Sequence, residues 1–312
     1  MTLGAHARVI GIDVGGASLA AVQLAAPAAR TGPLVEAAVE LPRLSHDAPI
    51  ASEIARLVRV MARRGFRQAP IVVGLPDDDV TIAELSLPAR TSGAPLGEMV
   101  AAQLGRICQA DPSTLECAWW ATESPGASSQ RSLAAAVPLQ VADPIAQALE
   151  DAGLEVAAME ARPLALARAC KPLLTTSLDV LIDRSAPLPS MVVLERGEVS
   201  YVRPFTPPTV RSGIDMSVPV LSIEAFLAEL RLTLGYLSHR HPAESITRIL
   251  LAGRERDLAP IAEMLIYTWD LPAEVLRIES LAAVPPRLAA QRGTTGCGLV
   301  VALGLAMRGR QS

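Results

Sequence analysis

Val9-Ile-Gly-Ile-Asp-Val-Gly-Gly-Ala-Ser-Leu-Ala-Ala-Val-Gln-Leu24 reads as a strand, a glycine-rich turn and a second strand, with an aspartate at the mouth of the turn. Val9, Ile10 and Ile12 make the short apolar run of a buried strand. Gly15 and Gly16 are expected to supply positive φ and to let backbone approach a phosphate closely. Asp13 then stands where a magnesium ion binds, usually through water. An ordinary hairpin with a glycine turn fits the same residues, so the rest of the chain must decide.

The chain has 312 residues and half of them are apolar, enough for two domains with real cores. A net charge of −4 with 19% charged residues excludes a polyanion-binding surface, so nucleic acid is not an expected partner. Lys171 is the sole lysine and follows Cys170, which excludes a P-loop. The longest uncharged stretches, 14–29 and 293–307, fall short of the roughly 20 residues that span a bilayer. With no leader-like segment, a cytoplasmic location is expected. Cys108, Cys117, Cys170 and Cys297 lack C-x-x-C spacing and read as reduced thiols.

Outward from the hairpin, Ile50, Ile54, Leu57, Val58 and Met61 mark one face of a helix over 49–64. Pro70-Ile-Val-Val-Gly-Leu75 reads as a buried strand ending at Asp77-Asp-Asp79, an acidic triplet that suits a solvated turn better than a metal or a base. From Val80 the pattern changes: a strand to Leu87, a helix over 96–109, a strand holding Trp119 and Trp120, a tip at 125–130, and a strand over 132–138. This block, 80–136, is expected to be a small inserted subdomain. Adjacent strand residues face opposite ways, so one tryptophan should be core and the other a candidate partner anchor. A helix over 139–151 stopped near Gly153, a strand over 154–159 and a helix over 163–170 complete this half.

Leu178-Asp-Val-Leu-Ile-Asp183 again ends a buried strand in aspartate, 170 residues after Asp13, and strands over 191–195 and 199–204 follow. The repeated order predicts a duplicated α/β domain with paired hairpins. Further on come a helix over 222–238 capped by Ser222, a strand over 246–252 leading to Gly253, a helix over 257–269, a strand over 274–278 and a closing apolar helix over 296–307.

Five stretches carry a resemblance: Ile10-Gly-Ile-Asp-Val-Gly-Gly-Ala-Ser18, Val72-Val-Gly-Leu-Pro76, Ala148-Leu-Glu-Asp-Ala-Gly-Leu154 with Arg162-Pro-Leu-Ala-Leu-Ala-Arg168, Ile249-Leu-Leu-Ala-Gly253, and Leu299 to Arg308. Together they resemble the type IV pilus assembly protein PilM family, of the actin-like ATPase fold and related to FtsA. The first is shared with sugar kinases and chaperones; 153–168 points to PilM. The resemblance implies duplicated actin-like (RNase H-like) domains around a nucleotide cleft: 1–79, 137–176 and 297–312 as the first, 177–296 as the second, and 80–136 as an inserted α+β subdomain. It implies ATP and magnesium near Asp13, Gly15, Gly16, Ala17, Ser18, Asp183 and Gly253, with Asp13 holding the ion through water and Glu160 as the candidate catalytic acid. It also implies a cytoplasmic scaffold peripheral to the inner membrane, at most a weak ATPase. The subdomain and its host domain would receive a cytoplasmic segment of a PilN-like membrane protein, and other pilus platform proteins would contact the scaffold.

The chain departs from the family's pattern at each phosphate element. Gly16-Ala-Ser18-Leu-Ala20 lacks two hydroxyls and a lysine; Asp183-Arg-Ser185 replaces Asp-x-Gly and is followed by Pro187 and Pro189, which have no amide donor. Gly253-Arg-Glu255 puts bulky residues in the adenosine motif, and Arg162 replaces an acid. These changes leave a nucleotide-free or slowly hydrolysing relative beside an active ATPase. The alternative from another class is a sugar or acid kinase of the same fold, with Asp77, Asp78 or Asp79 as general base.

Overall fold

Periodicity and pairing put the strands of the first half into one sheet. A computed structural model describes residues 8–26, 32–45, 48–121, 129–174, 178–185, 189–205, 223–240, 246, 248–289 and 297–308. Strands β1 (Ile10–Val14), β2 (Ser18–Leu24) and β3 (Val35–Pro42) form an antiparallel meander, and helix α1 (Ile50–Arg63) leads to β4 (Ile71–Leu75), parallel to β1. Next come β5 (Thr81–Pro88), α2 (Leu96–Cys108), β6 (Leu115–Ala121) and β7 (Ser129–Pro138), whose strands make a separate sheet in the order β5-β7-β6. Helix α3 (Leu139–Asp151), β8 (Val156–Ala161) and α4 (Arg162–Cys170) return to the first sheet, whose order is β3-β2-β1-β4-β8.

The second half repeats this topology. Its sheet runs β11-β10-β9-β12-β13, built from β9 (Leu178–Asp183), β10 (Ser190–Glu195), β11 (Glu198–Pro204), β12 (Ile249–Ala252) and β13 (Ala273–Val275). Helices α5 (Ile223–Arg240) and α6 (Glu255–Trp269) flank it, and α7 (Ile278–Leu281), α8 (Pro286–Ala289) and α9 (Cys297–Met307) close the chain. Arg196 and Gly197 both take positive φ, 52° and 81°, as a tight hairpin turn between right-twisted strands requires.

Period-two alternation decides what each sheet face meets. Ile10, Ile12 and Val14 pack with α1 and α3, while Leu178, Val180 and Ile182 pack with α5 and α6. The opposite faces look inward on α4 and α9, where Val22, Val72, Leu166, Leu303, Leu181, Val192 and Leu250 belong to one core spanning both halves. Helix α9 lies so close to β1 and α4 that a Cβ at Gly11 would fall 2.0 Å from the Ala302 carbonyl oxygen, and one at Gly304 would fall 1.8 Å from that of Ala165 in α4. Glycine at both positions is a packing requirement.

One strand is added and two expectations are corrected. Val35–Pro42 is a strand that sequence pattern does not announce, because its alanines and glutamates have weak strand preference; pairing with β2 imposes it. The strand expected over 274–278 is shorter, Ala273–Val275, and Ile278–Leu281 is helical. Gly15 and Gly16 do not take positive φ. The Ser222 cap, the tip at 125–128 and Pro187 lie outside the described residues. No helix among the described residues is long and apolar enough to cross a membrane.

Candidate functional site

The duplicated topology places Asp13 and Asp183 at equivalent points, each near the end of the first strand of its sheet and on the inward face. Both are buried, 0% and 2% exposed. Between them sits Arg162, the first residue of α4, 1% exposed. Its Nε donates to Asp13 Oδ1 at 2.7 Å and its Nη2 to Asp13 Oδ2 at 3.3 Å. Nη1 pairs with Asp77 Oδ2 and lies 3.7 Å from Asp183 Oδ2, and Nη2 donates to Ser185 Oγ at 2.6 Å. One guanidinium thus joins Asp13 and Asp77 of the first half to Asp183 and Ser185 of the second.

Gly74 makes this reach possible. It stands between Asp13 and Glu160 in the register of β1, β4 and β8, and a Cβ there would lie 3.2 Å from Asp13 Oδ1 and 3.4 Å from Arg162 Cγ. With no side chain in the way, Arg162 crosses β4 from the end of β8.

Three carboxylates share this single cation. Burial pushes Asp13 up to about 6 against the opposing pull of Arg162, and pushes Asp77 up to about 7. Burial by itself would lower the Arg162 pKa, but Asp13, Asp77 and Asp183 outweigh it and hold the guanidinium charged.

The flanking loops are occupied by the protein's own contacts. Arg43 donates from its backbone N–H to the Ala17 carbonyl at 3.0 Å and from Nη1 to that of Gly15 at 3.4 Å, fixing the Gly15–Ala17 turn. Gly16 is half-buried and Ala17 exposed on it. The Ser18 hydroxyl donates to Glu40 Oε1 at 2.8 Å, and burial raises the Glu40 pKa. In the second hairpin the Ser185 amide donates to Asp183 Oδ1 at 2.8 Å. Gly253 has φ 152° and lies against Leu258 and the backbone of Arg184.

Glu160 is drawn elsewhere. It shares a sheet face with Asp13, but two strands away, roughly 10 Å at ordinary strand spacing. Both its oxygens are engaged by Arg168, one at 2.9 Å from Nη1, and Arg308 Nη1 lies 3.6 Å away. It lines a different feature, an apolar groove of about 240 Å³ between the β6–β7 side of the small sheet and the first half. Val80, Trp120, Val137, Met159 and Leu164 supply its apolar wall, with Arg308 at one end. β6 is an edge strand of its sheet.

The tryptophans differ from expectation in one respect. Neither is fully buried core: Trp119 is half-buried against Leu85, Val100 and Leu104 of the small subdomain's core, and Trp120 is half-buried on the other face, against the core that includes α4 and α9. Asp77, offered as a kinase base, is paired with Arg162, while Asp78 and Asp79 are exposed on a short turn. Among the described residues no group of three or more His, Cys, Asp or Glu is arranged to hold a metal ion.

Sequence reasoning treated Arg162 as a lost acid and missed it as an ionic hub. The signal available was indirect: an arginine at a helix start, after a buried strand, in a chain with two strand-end aspartates and a glycine in the strand between. The groove left no such trace apart from Trp120.

Two halves of identical strand order, joined through helices packed between their sheets, define the actin-like ATPase fold. A Bacteroides thetaiotaomicron protein described as having that fold and unknown function matches at TM-score 0.53 and 9% identity, over 89% of this chain and 93% of that one. A chain of the PilM–PilN type IV pilus biogenesis complex matches at TM-score 0.73 and 19% identity, over 97% of this chain and 99% of that one. The cytoplasmic domain of EpsL, an inner-membrane component of the type II secretion system of Vibrio cholerae, matches at TM-score 0.52 and 10% identity, over 98% of this chain and 95% of that one. At these identities the likeness is one of fold. No family model and no curated protein matches the chain.

Proposed function

We propose that this chain is a scaffold of a type IV pilus or related secretion platform, which docks an extended cytoplasmic segment of an inner-membrane protein and stays peripheral to that membrane through it. The observation that carries this reading is the groove beside Trp120, in a chain of which 97% matches one from a PilM–PilN complex. An extended peptide suits such a place: its apolar side chains enter the groove and its backbone can add to the edge of β6. Half-buried Trp120 offers the broad, rigid contact that concentrates binding energy. Glu116, Glu160 and Arg308 place charge around the apolar wall and would set the peptide's direction.

The likeness to the EpsL cytoplasmic domain supports the same class of role in a second kind of assembly. Docking is then the output, and chemistry in the cleft is not needed for it. The kinase alternative gains no support: of its three candidate bases Asp77 is paired with Arg162, and Asp78 and Asp79 are exposed on a short turn.

The test uses the full chain and a synthetic peptide of the cytoplasmic segment of a PilN-like single-span inner-membrane protein. Calorimetry should give binding that Trp120→Ala or Leu164→Asp weakens at least about tenfold, the scale of one interface anchor. Equal affinity of wild type and both variants would place the partner elsewhere and end this reading.

A further inference from the structure

We infer that Arg162 is a built-in cation that ties the two halves of the cleft together in place of a magnesium nucleotide, so that this chain holds its cleft closed with no nucleotide bound. An actin-like fold implies magnesium and ATP between its two hairpins, and the residues present do not fit them.

The first observation is the donor count. A guanidinium has five N–H groups. Nε faces Asp13, Nη1 faces Asp77 and Asp183, and Nη2 faces Asp13 and Ser185. Four of these donors hydrogen-bond protein oxygens and Nη1 also forms a 3.7 Å ion pair with Asp183, so the fork is already committed to the protein. The second is charge. Three carboxylates surround one guanidinium, and a polyphosphate brought there meets net negative charge at short range. A magnesium ion at Asp13 would instead have to displace a buried cation whose planar fork already spans both carboxylate oxygens.

The third observation is space. The ideal Cβ position of Gly15 lies 3.5 Å from Asp13 Oδ2 and 3.7 Å from Arg162 Nη2, so the guanidinium sits directly under the loop that would have to wrap a phosphate. The hydroxyl on that loop, Ser18, is committed to Glu40. The fourth is placement on the fold. Arg162 opens α4, where the helix dipole disfavours a cation, so the carboxylates of both halves are what retain it. A contact held in this way is a tie between the halves.

Two measurements decide it. Thermal melting of the wild-type chain should give one midpoint with buffer, EDTA, magnesium, or millimolar ATP or ADP with magnesium, whereas a ligand well above its dissociation constant would raise it. A magnesium-dependent rise with either nucleotide overturns the inference. Hydrogen exchange should then show that Arg162→Gln speeds exchange on the order of tenfold in 10–18 and 178–185 and leaves 96–108 unchanged. Ser185→Ala, which removes one bond across the cleft and keeps the charges, should do so more weakly and remains readable if Arg162→Gln does not fold. Unchanged exchange in both strands in the folded variant means Arg162 is not a tie.

Discussion

Arg162 concentrates the cleft's electrostatics, and its removal tests that balance. Arg162→Met leaves buried Asp13 and Asp183 and half-buried Asp77 without their cation, and such a loss typically costs about 3–5 kcal/mol. Urea denaturation should show that loss, and above about pH 7 adding Asp77→Asn to Arg162→Met should recover part of it, because Asp77 no longer has to fold ionised or take up a proton. The pH dependence has a definite sign. The Asp77 pKa is raised from 3.8 to about 7, mainly by burial, with Asp183 and Asp13 adding to the rise and Arg162 opposing it. The folded state therefore holds a proton that the unfolded chain releases. This group's contribution is fully present below about pH 4 and is lost as pH rises through about 7. Denaturation midpoints between those limits should fall less steeply in Asp77→Asn than in wild type; equal slopes would exclude Asp77 as the source. Asp13 and Asp183 were legible in sequence because each ends a buried strand. The role of Arg162 was not, since residues 13, 77, 162 and 183 meet only once both sheets are folded.

Element α9 shows how an unmarked apolar stretch acquires a fixed place. Its composition, Cys297-Gly-Leu-Val-Val-Ala-Leu-Gly-Leu-Ala-Met307, announces a buried helix and says nothing of its neighbours. The neighbours are β1, β2 and α4, and the approach to two of them depends on glycine: Gly304 against Ala165 and Gly11 against Ala302. Gly304→Ala must push α9 away from α4, and the cost should reach or exceed the upper end of the overpacking range, about 3 kcal/mol. Gly235→Ala is the control, since a Cβ there meets nothing within 4 Å and helix preference should add about 0.5–1 kcal/mol. Chemical denaturation of the two variants should move in opposite directions. Most helices and the paired first strands were readable from periodicity. β3 was not, because its alanine- and glutamate-rich sequence becomes a strand only against β2, and β13 was overextended because a helix follows it closely.

At the scale of the molecule, the two sheets enclose α4 and α9, and the small sheet is tied to both. Arg240 at the end of α5 donates to Glu84 of β5 at 3.0 and 3.2 Å, so the small sheet is linked to the second half as well as sharing the groove with the first. The repeat was visible as two aspartate-ended strands, but the groove was not, because its walls come from β4, β6, β7, β8, α3 and α4 and no local pattern joins them. Such a frame can present one surface to a partner while its cleft remains shut. The most direct measurement is calorimetric titration of the wild-type chain with the partner peptide, in EDTA and again in millimolar ATP with magnesium. The account predicts the same dissociation constant in both, within about twofold, or some 0.4 kcal/mol. Binding that appears only with magnesium ATP, or tightens tenfold with it, would contradict it.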